Sequence, residues 1–528
     1  MSNHAYESAA ALRPSSNGPI PISTLCERFS LVPASADDPA ALNDLSVLGV
    51  SVDSGDTSPG ELFVGLPGFT VHGARFAAEA VASGAVAVLT DSDGAQIVHE
   101  LAPGTPALVH DDPRAVVGPL SAEVYHHPAR GLITTAVTGT NGKTTTSYFL
   151  DAILSAHVGG CMVAGTVELR VGERSVESPR TTVEAPVLQR MMALAVEDRV
   201  GAASLEASSH AIVLHRLDGI VVDVAGFTNL QRDHLDFHKT MEGYLEAKAQ
   251  LFTPEHARRG VVCVDDRWGA ALADEAPIEI DRVRAYPGDT PADWWVSDAT
   301  VSLTDSATTF TLHGPDGEQI EASCPLPGLV NVQNAALALV MAIRAGVPAA
   351  TATAALAGAH NIPGRMQRIS QRDGQRGLCI VDFAHTPDAM ELALKAVRPI
   401  TPGRLIVVFG SDGDRDQGKR PMLGEVCARL ADVLVVTDEN PRSEDPQLIR
   451  NAILEGVRSV RPDLEDVEEV TTWRGDAVRR GVELCGPQDT VIVTGKGHEP
   501  FLEAAGEFIR YNDAPVMAEA VEQKWGRG

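Results

Sequence analysis

The stretch Leu132-Ile133-Thr134-Thr135-Ala136-Val137-Thr138-Gly139-Thr140-Asn141-Gly142-Lys143-Thr144-Thr145 decides how this chain is read. Its first seven residues are an apolar and β-branched run of strand length. Gly139 and Gly142 then break the run, and a helical pattern opens at Lys143. Backbone N–H groups of such a loop point at phosphate oxygens, and the positive end of the following helix adds to the attraction. Lys143 would reach the β- and γ-phosphates, and the Thr144 hydroxyl can coordinate Mg2+. Gly139, Thr140, Asn141, Gly142, Lys143, Thr144 and Thr145 are therefore candidate ATP-binding residues. Val137 stands where the general phosphate-loop signature has its first glycine. The alternative is a Gly-rich turn that only caps a helix.

Further strand patterns lie on both sides of this stretch. Before it come the apolar runs Glu61–Leu66 and Ala85–Thr90, with a helical stretch Ala74–Ser83 between them. After it come Ala202–Ala207, Val221–Phe227 and Gly260–Val264, and later Leu378–Phe383, Arg404–Phe409, Asp432–Thr437 and Thr490–Thr494. Helical segments at Pro387–Val397, Pro421–Leu430 and Pro446–Val457 separate the last group. Strands alternating with helices predict an α/β fold with parallel sheets, one per block. The division expected is a flexible tail at 1–20, a first domain at 21–128, a central domain at 129–363 and a C-terminal domain at 364–528. Gly358–Gly364 carries Gly, Asn and Pro and suits a hinge.

Composition narrows the function. The 528 residues suffice for about two to four domains. Lys and Arg number 43 against 71 Asp and Glu, a formal net charge of −28. So acidic a surface repels phosphate backbones and argues against a general nucleic-acid binder. The seven cysteines are scattered with no CxxC pair, which argues against a zinc site or a disulfide framework. The N-terminal stretch lacks the apolar core of a signal peptide, and no apolar run reaches the ~20 residues that span a bilayer. A cytoplasmic protein, without membrane insertion, is expected.

Four more signals carry chemistry. Glu206-Ala207-Ser208-Ser209-His210 ends a strand, where carboxylates of parallel sheets face the ligand crevice, and Glu206 could hold Mg2+. Thr228-Asn229-Leu230-Gln231-Arg232-Asp233-His234-Leu235-Asp236 suits a metal or acid–base role, or else a capping segment. Lys248 shares a helical face with Met241, Tyr244, Leu245, Leu251 and Phe252. It is either a snorkelling lysine or a desolvated, chemically modified one. In the last block, Asp382 with His385, Gly410–Arg420, Asp438–Arg442 and Gly495–Glu499 each follow a strand. Four polar clusters on one edge of a parallel sheet point to a binding site.

These strings, in this order, resemble the Mur ligase family of ATP-dependent peptidoglycan amide ligases over nearly the whole chain beyond the first ~45 residues. The likeness is nearest to the branch that adds the third residue to UDP-N-acetylmuramoyl-L-alanyl-D-glutamate. It implies a nucleotide-sugar domain, a P-loop ATPase-like central domain and a Rossmann-like amino-acid domain that closes during turnover. It further implies that Val52 and Ser54, with residues 68–73 beside them, contact uridine. Thr181, Thr182, Ser208 and Arg216 would contact the muramoyl dipeptide. Glu206, His234, Thr144 and Lys248 would be the metal set, with Lys248 as N6-carboxylysine, and Lys143, Lys248, His234 and Glu206 the catalytic group. Asn331, Asn334 and Arg365 would contact the adenosine nucleotide, and Arg415, Asn440, Arg442, Gly495 and Glu499 the incoming amino acid. The implied cofactors are ATP and Mg2+, and a monomer is expected.

In the family an Asp-Asn-Pro-Arg string accompanies meso-diaminopimelate, whose distal carboxylate suits an arginine fork. Here Glu439 stands in the first place and Arg442 in the last, which favours diaminopimelate, with L-lysine as the alternative. Gly55, Val183, Leu214 and Phe383 also depart from common family residues. Two other functions stay open: a ligase acting on another acceptor, such as a folate polyglutamate, and a nucleotide-gated interaction protein.

Overall fold

The structure, a computed structural model, describes residues 11–34, 42, 44–68, 70–302, 307–359 and 362–526. They form two compact units, one built mainly on residues up to Arg284 and one mainly on residues from Trp295 onward. Among the described residues no helix is long and apolar enough to cross a membrane, and the seven cysteines are free thiols.

At the centre of the first unit is the strand Ile133–Thr138, paired in parallel with Ala202–Glu206 on one side and Val224–Phe227 on the other. The β-branched run favours a strand, and neighbours on both sides bury it. Cys161–Ala164 continues the parallel sheet beyond Ala202–Glu206. Arg259–Cys263 and then Glu279–Arg284 continue it beyond Val224–Phe227. Glu168–Val171 and Arg174–Glu177 add an antiparallel edge. The helix Lys143–Val158 buries Phe149, Leu150, Ile153 and Leu154, and Ala185–Glu197 buries Leu188, Met191, Met192 and Leu194. Each such side chain contributes roughly 1.5–3 kcal/mol when fully buried.

The same unit holds a smaller sheet, in which Gly49–Ser51, Glu61–Val64, Ala87–Thr90 and Ala107–Val109 run parallel. Val32–Pro33 lies antiparallel at its edge, where a proline costs no ladder bond.

Residues 11–20 are not the flexible tail expected of so polar a stretch. Leu12 is buried in the core around the central sheet. The Arg13 guanidinium pairs with Asp56 and with Glu61, and Ser15 donates to Glu197 at 2.5 Å. Asp56 is also held by Arg190 at 2.8 Å, and both side chains are buried. One apolar anchor and a four-charge network tie this segment down.

The second unit carries a six-stranded sheet. Leu378–Val381, Thr490–Val493, Leu405–Phe409, Val433–Val436 and Val467–Glu469 run parallel in that order, with Gln367–Ser370 antiparallel at one edge. The helix Pro387–Val397 spans the expected residues, capped by the Thr386 hydroxyl. The next starts at Lys419, before the expected Pro421, because proline is tolerated in a first helical turn. Pro446–Val460 runs past Val457 and stops ahead of Pro462. The sequence reading did not anticipate the antiparallel strands Trp294–Val301, Thr308–His313 and Gln319–Cys324, nor the hairpin Phe501–Ala504 with Glu507–Arg510. Part of the hinge expected at Gly358–Gly364, namely residues 360 and 361, lies outside the described residues.

Candidate active site

The loop after Ile133–Thr138 needs its glycines. Gly139 has φ +143°, and a Cβ there would lie 1.9 Å from Thr228 Oγ1. Gly142 caps the helix Lys143–Val158 in the left-handed region. The segment after Val224–Phe227 clasps the loop. Thr228 Oγ1 donates to the Asn141 carbonyl at 2.6 Å, Asn229 Oδ1 accepts from the Asn141 N–H at 3.1 Å, and Asn141 Nδ2 donates to Gln231 Oε1 at 2.7 Å. The Thr140 N–H donates to the Asn229 carbonyl at 2.9 Å. Thr145 is buried behind the loop.

Two lysines converge on this loop. Lys143 Nζ donates to the carbonyls of Gly139 and Thr140 at 3.0 and 2.9 Å. Lys248, on the helix Met241–Ala249, donates to the same Gly139 carbonyl at 2.8 Å and lies 4.5 Å over the Tyr244 ring. Its side chain is 1% exposed, so it does not snorkel to water. Burial, and after it the charge of Lys143, hold the Lys248 amine well below the usual lysine range.

Glu206 closes the other side. Its Oε2 accepts from Thr144 Oγ1 and from Thr166 Oγ1, each at 2.9 Å, and its Oε1 accepts from the Thr166 N–H at 2.8 Å. Its backbone carbonyl accepts from Thr182 Oγ1 at 2.6 Å, and the Ser208 N–H donates to Thr182 Oγ1 at 3.0 Å. Thr181 Oγ1 lies 3.2 Å from Thr166 Oγ1. Arg216 donates to the Thr182 carbonyl at 3.1 Å and pairs with Glu184 at 2.9 Å. Thr181, Thr182, Ser208 and Arg216 are thus linked to the Glu206 strand end.

His234 stands in a ring cluster, 4.9 Å from His210 and 6.2 Å from Tyr244, with His238 stacked on Tyr244 at 4.8 Å. Its backbone is left-handed at φ 52°, and its Nε2 lies 3.4 Å from Asp233 Oδ2. The Asp236 side chain lies outside the described residues. Among the described residues no three His, Cys, Asp or Glu side chains come together as a metal cage. A nucleotide-bound Mg2+ does not need one, because it takes one or two protein oxygens besides phosphate and water. Thr144 and Glu206 fit that requirement.

In the small sheet's domain, Ser54 Oγ donates to Glu79 at 2.9 Å. Asp53 Oδ1 accepts from the Gly55 N–H at 2.9 Å, closing the short turn Ser54–Asp56. Val52 packs against that domain's core.

In the second unit, Asn331 Nδ2 donates to the Pro327 carbonyl at 2.8 Å, and Asn334 Nδ2 lies 3.5 Å from Asn331 Oδ1. The Arg365 guanidinium lies 4.3 Å over the Phe383 ring. The strand-end loops meet around Asn440. Asn440 Nδ2 donates to Glu499 at 3.1 Å, and the Gly413 N–H donates to the Asn440 carbonyl at 2.8 Å. Gly495 has φ +110°, and a Cβ there would lie 2.4 Å from Glu439 Oε2. Burial, then the charge of Asp412, push the Glu439 carboxyl up to about 8. Arg442 pairs with Glu503 at 2.8 Å, while Arg415 is exposed on the loop after Leu405–Phe409.

Sequence comparison gives this geometry a family. Residues 46–125 match the profile of the Mur ligase family catalytic domain, 137–342 that of the Mur ligase middle domain, and 364–497 that of the Mur ligase glutamate ligase domain. A Streptomyces coelicolor protein named UDP-N-acetylmuramoyl-L-alanyl-D-glutamate--2,6-diaminopimelate ligase is 43% identical over 91% of this chain and 93% of its own. The chain belongs to the Mur ligase family. A UDP-N-acetylmuramyl-tripeptide synthetase of Leifsonia xyli is likewise 43% identical to this Mur ligase, over 95% of this chain and 96% of the relative. A solved structure of a 2,6-diaminopimelate ligase superposes with a TM-score of 0.65 at 30% identity, covering 94% of this chain and 99% of that one.

Two buried side chains of this Mur ligase that the sequence reading quoted or passed over without a role hold the strand-end loops of the second unit. Lys496 is fully buried and donates to Asn440 Oδ1 at 2.8 Å, Glu499 Oε2 at 3.0 Å and the Phe501 carbonyl at 2.6 Å. A lysine between two glycines after a buried strand was the signal for it. Arg474 is held by Asp513 at 2.9 and 2.8 Å and donates to the carbonyls of Asp438 and Thr494 at 3.0 and 2.7 Å. It thereby staples two strand-end loops of the second unit together, and no local pattern marked it.

Proposed function

We propose that this Mur ligase joins meso-diaminopimelate to UDP-N-acetylmuramoyl-L-alanyl-D-glutamate at the expense of ATP, in cytoplasmic peptidoglycan synthesis. One observation carries this proposal: at neighbouring strand ends, Thr144 meets Glu206 while Lys143 and Lys248 meet at the Gly139 carbonyl. That arrangement suits a triphosphate, and the named relatives supply the acceptor class. The same proposal assigns 21–128 to the nucleotide sugar, 129–363 to ATP and 364–528 to the amino acid.

The N–H groups of Gly139–Thr145 cradle the phosphates, and Lys143 turns from its loop carbonyls to the β- and γ-phosphates. Thr144 and Glu206 would hold Mg2+, which supplies neutralising charge for phosphoryl transfer. His234 and Lys248, the latter as the N6-carboxylate, would complete the metal's surroundings. The burial of Lys248, which lowers its amine well below the usual lysine range, supports that modification, because only a neutral amine adds carbon dioxide. Asn331, Asn334 and Arg365 take the adenosine end. Val52 and Ser54 take the uridine, and Thr181, Thr182, Ser208 and Arg216 the dipeptide.

A D-glutamate carboxylate oxygen attacks the γ-phosphorus and ADP leaves, giving an acyl phosphate. The free amine of diaminopimelate, held by Arg415, Asn440, Arg442, Gly495 and Glu499, attacks the acyl carbon. The tetrahedral species collapses, and phosphate departs with one former carboxylate oxygen. Positioning and charge neutralisation supply most of the acceleration.

The test is a side-by-side turnover assay with meso-diaminopimelate and L-lysine. Product with the former and little with the latter is expected. Equal or faster turnover with lysine overturns the choice of amino acid, and ATP hydrolysis independent of both substrates overturns the ligase reaction.

A further inference from the structure

We propose that the segment Leu12–Asn17 is a strap that sets the nucleotide-sugar site, with Arg13 as its positioning residue; this rests on the assignment of Ser54 to uridine proposed above. Contacts along the segment alternate between the two sheets of the first unit. Leu12 is buried in the core around the central sheet. Arg13 reaches instead into the small sheet's domain, to Asp56 Oδ1 at 3.0 Å, to the Asp56 carbonyl and to Glu61. The Ser15 N–H turns back to Glu197, on the helix Ala185–Glu197, at 2.9 Å. Asn17 Nδ2 then donates to the carbonyls of Leu48 and Val124, in the small sheet's domain, at 2.7 and 2.9 Å.

The strap bears on substrate through the place where Arg13 lands. Asp56 is the last residue of the turn Ser54–Asp56, and Glu61 opens the strand Glu61–Val64 that follows. The two acidic side chains are 4% and 5% exposed. Arg190 takes the other Asp56 oxygen at 2.8 Å, and Glu61 Oε2 accepts from the Ser58 N–H at 2.9 Å. Two buried acids thus face two arginines, and the group is formally neutral only while Arg13 is in place. Burial already pushes the Glu61 carboxyl up, and Arg13 is the nearest charge that opposes this. Without Arg13 the two carboxylates repel, and the fork that grips both the side chain and the carbonyl of Asp56 is lost. Ser54, two residues back in a turn of three, shifts with Asp56.

The other strap contacts do not touch this turn. Ser15 binds Glu197, which is exposed, so Ser15→Ala loosens the strap without disturbing the charge group.

The experiment measures kcat, KM for UDP-N-acetylmuramoyl-L-alanyl-D-glutamate and KM for ATP in wild type, Arg13→Met, Arg13→Lys, Ser15→Ala and Ser54→Ala. In Arg13→Met, KM for the nucleotide sugar rises about tenfold, while kcat and KM for ATP stay within about twofold. Arg13→Lys restores the charge but not the fork, so that its KM rises only about threefold. Ser15→Ala behaves as wild type. An unchanged KM for the nucleotide sugar in Arg13→Met overturns the proposal. So does an equal rise in KM for ATP, which would mean the whole unit had loosened, or a rise in Ser15→Ala as large as in Arg13→Met. Should Arg13→Met not fold, Arg13→Lys decides in the same terms. Ser54→Ala separates the two readings: if it leaves KM for the nucleotide sugar unchanged, the uridine assignment falls; if it raises KM and the Arg13 variants do not, this inference falls alone.

Discussion

Lys143 and Lys248 donate to one carbonyl oxygen, that of Gly139, at 3.0 and 2.8 Å. Two ammonium groups so close, one of them shielded from water, repel strongly. Burial, and after it the charge of Lys143, hold the Lys248 amine well below the usual lysine range, which lessens this repulsion. A carboxylated Lys248 would turn the repulsion into attraction and supply the anion that a metal-dependent phosphoryl transfer needs.

Lys248→Ala is therefore expected to lose about 100-fold or more in turnover, with partial recovery on adding a short carboxylic acid. Unaffected turnover would contradict the role. Lys248→Met also has a stability signature. The folded lysine binds protons more weakly than the unfolded one, so the unfolded chain holds more protons and stability climbs with pH towards about 10.4. Urea unfolding at pH 7 and 9 should show a smaller climb in the methionine variant.

Glu439 gives the opposite slope. Its carboxyl, pushed up to about 8, holds its proton above the unfolded value of about 4.3. Between those values the folded state binds more protons, so the contribution of Glu439 is fully present below about 4.3 and is lost as pH rises through about 8. Glu439→Gln should flatten this fall by about 2–4 kcal/mol between pH 5 and 8.5 in urea titrations. A slope identical to wild type would show that Glu439 ionises normally.

The Asp56 network joins the turn Ser54–Asp56, proposed above to take the uridine, to Arg190 of the helix Ala185–Glu197. Arg190→Met removes one of two arginines from the buried Asp56 and should cost about 3 kcal/mol. Asp56→Ala leaves both arginines without that carboxylate and should cost more. Because Ser54 sits on the same turn, Asp56→Ala should also raise KM for the nucleotide-sugar substrate more than KM for ATP. Chemical denaturation and initial-rate kinetics check the two effects.

Arg474→Lys keeps the charge but loses the fork that holds Asp513 and the Asp438 and Thr494 carbonyls. KM for the amino acid should rise about tenfold while KM for ATP holds. Equal rises for both substrates would mean a general loss of structure.

What the sequence disclosed follows from how local each feature is. The strand, loop and helix at Leu132–Thr145 are contiguous, so β-branching, two glycines and a lysine suffice to read them. Pro387–Val397 was equally plain, because Thr386 and Pro387 mark its start. The place of Glu206 at the end of a central-sheet strand was also legible, because the apolar run Ala202–Ala207 is contiguous. The side chains that organise these sites were hidden because their partners are far along the chain. Arg13 meets residues 43 and 48 positions away, Lys496 meets Asn440 across 56, and Arg442 meets Glu503 across 61. Periodicity carries no information at such separations. Leu12 shows the same limit: one leucine in a polar stretch gives no sign that a distant core will bury it.

The most direct test of the account follows oxygen. UDP-N-acetylmuramoyl-L-alanyl-D-glutamate carrying 18O in the D-glutamate carboxylates is turned over with Mg-ATP and meso-diaminopimelate, and the released phosphate is analysed by mass spectrometry. Activation through an acyl phosphate predicts one 18O in each phosphate released, with label transfer abolished in Lys143→Ala. Unlabelled phosphate accompanying full amide formation would contradict phosphoryl transfer to the substrate carboxylate.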